Sequence, residues 1–206
     1  MSHYPGGMEP SDEDIERTLA DVVRAIEEKG LPYLLMGGAG TVTFGRSRAT
    51  NDIDVFVRAE DAGRVLEVLA AAGFETSETD LEWLHKAFRH GVLVDVIYRS
   101  AGDIRLDDEM LRRGRRRTYR GTEATIMCPE DLVVIKAIAA SEEATRHWYD
   151  ALSLIASCEL DWDYIVDRAR SSGPRRLLSL LLYAESNDLA VPSWVVESLF
   201  ATVHGS

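Results

Sequence analysis

The chain is short of cysteine, of long apolar runs and of positive charge, and each shortage closes off a class of function. Cys128 and Cys158 are its two cysteines, thirty residues apart in apolar contexts. Neither has a close partner in sequence, which excludes a disulfide scaffold and zinc-site spacing. They read as small buried hydrophobes in a reducing compartment. His85, His90 and His147 do not fall at metal-ligand spacing either. No apolar stretch is long enough to cross a bilayer. The opening MSHYPGGMEP lacks the basic and apolar regions of a signal peptide. The expectation is a cytoplasmic protein with no membrane partner. Acids outnumber bases 35 to 23, for a formal charge of -12. That argues against a general nucleic-acid binder, because phosphate contacts supply most of such affinity. No internal repeat or low-complexity stretch is present.

What the chain does have is a core and one dense motif. Its 206 residues, 46% of them hydrophobic, suffice for one large domain or a catalytic domain plus a small helical one. Residues 36–57 read MGGAGTVTFGRSRATNDIDVFV. A glycine pair, Gly37-Gly38, follows an apolar run, and after thirteen intervening residues come Asp52 and Asp54 inside another. A strand turns alternate residues to opposite faces, so the two aspartates share a face roughly 7 Å apart. Ile53, Val55 and Val57 take the other face. Two carboxylates forced onto one face repel each other unless something positive sits between them. A divalent cation is the obvious candidate. A local exception to the acidity is LRRGRRRTYR, with six arginines in the ten residues 111–120. It reads either as an edge hairpin protected by charge or as a clamp for a polyanionic acceptor.

Taken in order, residues 1–10 read as a disordered lead. Ser11 with Asp14 three residues on resembles a capping box. Ile15, Leu19, Val22, Val23 and Ile26 then keep a helical period over 12–29, closed by Gly30 and Pro32. A short buried strand at 33–36 leads through the glycines into a short helix, with Ala39, Val42 and Thr43 inward. The strand 52–57 follows a polar loop, and a helix over 59–72 ends at Gly73. A brief strand is expected at 74–76. A hairpin turns near His90-Gly91, and its second arm, 92–99, carries Asp95 among apolar residues. An unpartnered carboxylate there is costly to bury, so a metal or an arginine such as Arg89 or Arg99 must neutralise it. A second hairpin turns at Gly121. From Pro129 the pattern is helical only, at 129–140, 143–157, 162–171, 174–187 and 192–203. Asp150 reads as an i, i+4 partner of Arg146. The four tryptophans read as core or helix-packing residues, with Trp83 also placed to line the hairpin. The expected class is α+β: a small mixed β-sheet domain with flanking helices over 11–128, then an all-helical part over 129–206.

Gly37-Gly38, the spacer, Asp52-Ile53-Asp54 and the later Asp95 together resemble the polymerase-beta-like nucleotidyltransferase superfamily. Arg48-Ala49-Thr50-Asn51-Asp52-Ile53-Asp54 looks like its small prokaryotic branch, which includes aminoglycoside and lincosamide nucleotidyltransferases and AbiEii-like toxins. Pro129, Leu132 and Lys136 match a Pro-x-x-Leu-x-x-x-Lys opening of the helical part in that branch. Arg146 and Asp150 resemble a later Arg-x-x-x-Asp. The resemblance spans residues 31–155. It implies an enzyme that moves an NMP from an NTP, ATP among them, to a hydroxyl of a small molecule, a protein or an RNA end. Asp52, Asp54 and Asp95 would be catalytic and would hold Mg²⁺, with two ions expected and Mn²⁺ an alternative. Asp95 would also help deprotonate the acceptor. Gly37, Gly38, Thr41, Arg48 and Lys136 would contact the nucleotide. The acceptor side stays open between an aminoglycoside-like cation, favoured by the acidity, a protein, and a tRNA end, favoured by the arginines. A non-catalytic binding or regulatory protein on the same fold, such as a toxin–antitoxin component, is the alternative. The apolar helices over 174–203 either cover the catalytic part or pair with a second copy.

Overall fold

The computed structural model of the protein describes residues 9–79 and 82–205. Most of the lead expected over 1–10 therefore lies outside the described residues. The chain forms two compact units. The first comprises residues up to Ala39, Arg48–Arg99 and Arg105–Met127. The second comprises Gly40–Ser47, Ser100–Ile104 and Cys128–Ser206.

The first unit is built on a seven-stranded sheet. Its strands are β1 (Tyr33–Leu35), β2 (Asp52–Val57), β3 (Glu75–Ser77), β4 (Leu84–Arg89), β5 (Val92–Ile97), β6 (Arg115–Tyr119) and β7 (Thr122–Ile126). They lie in the order β3-β4-β5-β2-β1-β7-β6. The pairs β2·β5 and β1·β7 are parallel and the others antiparallel. Against the sheet lies α1 (Asp12–Glu27), whose start is the anticipated capping box: Asp14 N–H donates to Ser11 Oγ and Ser11 N–H to Asp14. Its stripe of Ile15, Leu19, Val22, Val23 and Ile26 is fully buried, as a 3.6-residue period requires. The expected helix over 59–72 is a 3-10 turn at Ala59–Asp61 running into α3 (Ala62–Ala71).

The arginine-rich hairpin is an edge of the sheet, and its charges are largely met. Arg116 pairs with Glu27 of α1 and Arg120 with Asp12. Arg112 and Arg113, on α4 (Asp108–Arg113), both reach Glu109. A charged edge strand resists pairing with another chain.

The second unit is helical. It holds α5 (Pro129–Ala139), α6 (Arg146–Ser157), α7 (Trp162–Ser172), α8 (Pro174–Glu185) and α9 (Ser193–His204). Helix α5 is buried on all sides from Pro129 to Ala137, acids and lysine included, and α6, α7 and α8 pack against it. Two corrections concern packing. No tryptophan is core: Trp83 and Trp194 are exposed, and Trp148 and Trp162 are half-buried. Trp148 takes the expected helix-packing role, meeting Tyr183 edge-on with centroids 5.8 Å apart. In α2 (Gly37–Phe44) Ala39 is buried as expected, but its buried companion is Thr41, while Val42 and Thr43 are half-exposed. No helix among the described residues is long and apolar enough to cross a membrane.

Candidate active site

The alternation expected of β2 is present. Ile53, Val55 and Val57 are buried on one face, and Asp52 and Asp54 are half-buried on the other. Strand β5 lies parallel beside it with Asp95 directly opposite Asp54. Residues opposed across a ladder share a face, so the three aspartates stand together on two central strands. On the other side of β5, Lys86 of β4 is directly opposite Asp95. Its ammonium is 3.4 Å from Asp95 Oδ1. The neutralising partner is therefore a lysine. Of the arginines anticipated for that role, Arg89 pairs with Asp21 and Arg99 with Glu82.

The glycine turn is fitted to these carboxylates. Gly37 has φ +54°, and a Cβ there would collide with Asp54 Oδ2 and lie 2.6 Å from its Cγ. A Cβ on Gly38 would collide with Thr50 Oγ1 and lie 2.7 Å from its Cβ. Thr50 is buried, and its hydroxyl donates to Asp52 Oδ1 at 2.8 Å. The two glycines thus make room for the two aspartates of β2, one directly and one through Thr50. Arg48 stands in the preceding loop, half-buried, and donates to the Ala49 carbonyl at 3.0 Å.

Burial raises the Asp95 carboxyl above the usual carboxylate range; Lys86 draws it back and the Asp52 charge pushes it up again. Among the described residues, no three acid, histidine or cysteine side chains are gathered closely enough to grip a metal ion. Thr50 engages Asp52 and Lys86 engages Asp95. The donor set still suits a hard divalent cation: three carboxylates share one face, and Asp95 Oδ1 is buried without a hydrogen bond. The Lys86 ammonium meets that oxygen at ion-pair distance, out of hydrogen-bonding alignment.

Thr41 and Lys136 belong to the second unit. Lys136 is buried, with its Nζ 3.0 Å from Asp150 Oδ2. Asp150 is fully buried and also accepts from Arg46 Nε at 3.0 Å, with the Thr41 hydroxyl 3.4 Å away. The ion-pair role expected for Asp150 holds, with Lys136 and Arg46 as partners in place of Arg146. The nearby thiols are structural. Burial pushes the Cys128 thiol far up, and the Cys158 thiol donates to the Phe44 carbonyl at 3.3 Å.

Sequence reasoning passed over Lys86, Thr50 and Arg46. A signal for Lys86 existed: a two-residue turn at His90-Gly91 sets the hairpin register and places residue 86 opposite residue 95. Thr50 and Arg46 lie in a loop, where no periodicity marks them.

A family model described as uncharacterised nucleotidyltransferase matches residues 11–186. No curated protein matches the sequence. Among solved structures, an antigenic nucleotidyltransferase-like protein from Paracoccidioides brasiliensis is similar at 18% identity and a TM-score of 0.54, over 92% of this chain and 94% of that one. The antibiotic-resistance factor ANT(2")-Ia, in complex with adenylyl-2"-tobramycin, is similar at 15% identity and a TM-score of 0.50, over 84% of this chain and 98% of that one. At such identities the likeness establishes the fold.

Proposed function

Because this chain belongs to the family of uncharacterised nucleotidyltransferases, we propose that it is a metal-dependent enzyme moving an NMP from an NTP to a hydroxyl acceptor. The observation that carries the reading is the in-register pair Asp54 and Asp95 with Asp52 on the same face, each aspartate of β2 having a glycine cleared for it. A protein that only bound a partner would have no physical use for three like charges along one face of its central strands.

Asp52, Asp54 and Asp95 would hold Mg²⁺, which when bound supplies positive charge for the attacking and leaving oxygens. The chain's own residues do the rest. Thr50 fixes the rotamer of Asp52 through its hydroxyl. Gly37 and Gly38 open α2, and a helix start attracts the triphosphate. The raised affinity of Asp95 for a proton suits it to receive one from the incoming hydroxyl.

For the acceptor, the arginine hairpin is committed to Glu27 and Asp12 and lies at a sheet edge. With a formal charge of -12, the chain favours a cationic small molecule carrying hydroxyls. The tobramycin adduct held by ANT(2")-Ia makes tobramycin the first acceptor to try and ATP the first donor.

The test is incubation with each α-labelled NTP and Mg²⁺ against aminoglycosides, total tRNA and cell lysate. Labelling should appear on a small cationic acceptor and fall by about 100-fold or more in Asp54→Asn. Equal labelling by that variant would defeat the reading. Replacing Arg115, Arg116 and Arg117 together by Ala should leave that labelling unchanged and lower stability by about 1 kcal/mol or less per exposed ion pair, measured by urea unfolding. A loss confined to tRNA labelling would instead assign the hairpin to an RNA acceptor.

A further inference from the structure

Lys86, Asp95 and Asp54 form one continuous row across three neighbouring strands. Lys86 is opposite Asp95 in the antiparallel pair β4·β5, and Asp95 is opposite Asp54 in the parallel pair β5·β2. The side chains therefore share a face, with the cation at one end. Lys86 is a third exposed and Asp95 only 16% exposed, so the lysine keeps access to water while the carboxylate it meets is largely withdrawn from it. The three aspartates carry three negative charges and the row supplies one positive charge of its own.

We propose that Lys86 is a built-in counter-cation that competes with the metal for Asp95 and so sets the metal affinity of the site. The inference rests on the nucleotidyltransferase reading above and adds a regulating residue to it. Its physical basis is the shared atom. Asp95 Oδ1 is the oxygen nearest the ammonium, and it is the buried oxygen without a hydrogen bond. A divalent cation at Asp95 must either displace the ammonium or share its carboxylate, and two like charges on one carboxylate oppose each other. Lys86 has the means to withdraw, being long, flexible and partly exposed. With Lys86 in place Asp95 is compensated without metal. A metal carried in on an NTP brings the phosphate charge that offsets this opposition. The ammonium thereby favours metal bound together with nucleotide over metal bound alone.

The experiment is Mn²⁺ binding to the full chain, followed by electron paramagnetic resonance and by calorimetry, with and without a non-hydrolysable NTP. Lys86→Gln should bind Mn²⁺ alone about tenfold more tightly than the wild type, within the range seen when a neighbour of a metal ligand is changed. Lys86→Arg, which keeps the charge, should stay near the wild type. The advantage of Lys86→Gln should shrink when NTP is present and vanish in Lys86→Gln/Asp95→Asn. Circular dichroism confirms that each variant is folded, and Lys86→Met serves as a second neutral variant. If the wild type binds Mn²⁺, Asp54→Asn abolishes binding, and Lys86→Gln binds no more tightly, the counter-cation role is overturned and the enzyme reading stands. If neither the wild type nor Lys86→Gln binds Mn²⁺ with or without NTP, both fall together.

Discussion

Gly37→Ala should cost about 2–4 kcal/mol of stability and about 100-fold or more in nucleotidyl transfer. Two independent effects act at this position. The backbone has φ +54°, where a side chain brings strain of about 1–3 kcal/mol. The added methyl would also fall on the Asp54 carboxylate, with its Cγ only 2.6 Å and its Cβ 3.1 Å away. Rotating Asp54 cannot relieve the second contact, because its Cβ is fixed by β2. Either β2 shifts or the carboxylate leaves its place, and a misplacement of about 1 Å at a reacting centre costs about 100-fold. Urea unfolding reads the first effect, and labelling kinetics with Mn²⁺ binding read the second. Gly37→Ala with native stability and native metal binding would show that the close approach is unnecessary.

Asp150→Ala should be the most destabilising single change in the second unit, by about 3–5 kcal/mol in urea unfolding. It removes a fully buried carboxylate that meets the buried Lys136 ammonium at 3.0 Å and Arg46 at 3.0 Å. Arg46 is half-exposed and can turn to water, but Lys136 is almost wholly enclosed. The energy is lost mainly because a charge stays inside without its counter-charge. Lys136→Met placed in the Asp150→Ala background should therefore recover part of the loss, although it deletes a second polar group. A double variant no more stable than Asp150→Ala would mean that the pair contributes through packing alone.

The sequence made the periodic parts of this molecule readable. Helix α1 announces itself by Ser11, Asp14 and an apolar stripe, and all of these behave as their spacing requires. Strand β2 is marked by period-two alternation, and the helices after Cys128 by proline and glycine punctuation. The fold class follows from these together, while the superfamily rests on the resemblance carried by Gly37-Gly38, Asp52, Asp54 and Asp95. What escaped was set by partners distant in sequence. Lys136 and Asp150 lie on successive helices, α5 and α6, and no local pattern says that one turns inward to the other. Of the core and helix-packing roles that hydrophobicity suggests for the tryptophans, only helix packing is seen, at Trp148, since large amphipathic rings are often left half in water. The glycine pair was read for its approach to phosphate. Its fit to Asp54 and Thr50 is visible only once β2 and α2 are in place.

The row of Lys86, Asp95 and Asp54 also bears on how the molecule assembles. The β4·β5 hairpin closes through a two-residue turn and can form locally within microseconds. Asp95 meets Asp54 only when β5 docks alongside β2, a non-local and slower event. Like charges directly opposite each other oppose strand pairing. Because Lys86 rides on the same hairpin as Asp95, the carboxylate arrives at β2 already chaperoned by its own ammonium. Removing that ammonium should slow refolding in the absence of metal, and added Mn²⁺ should restore the rate.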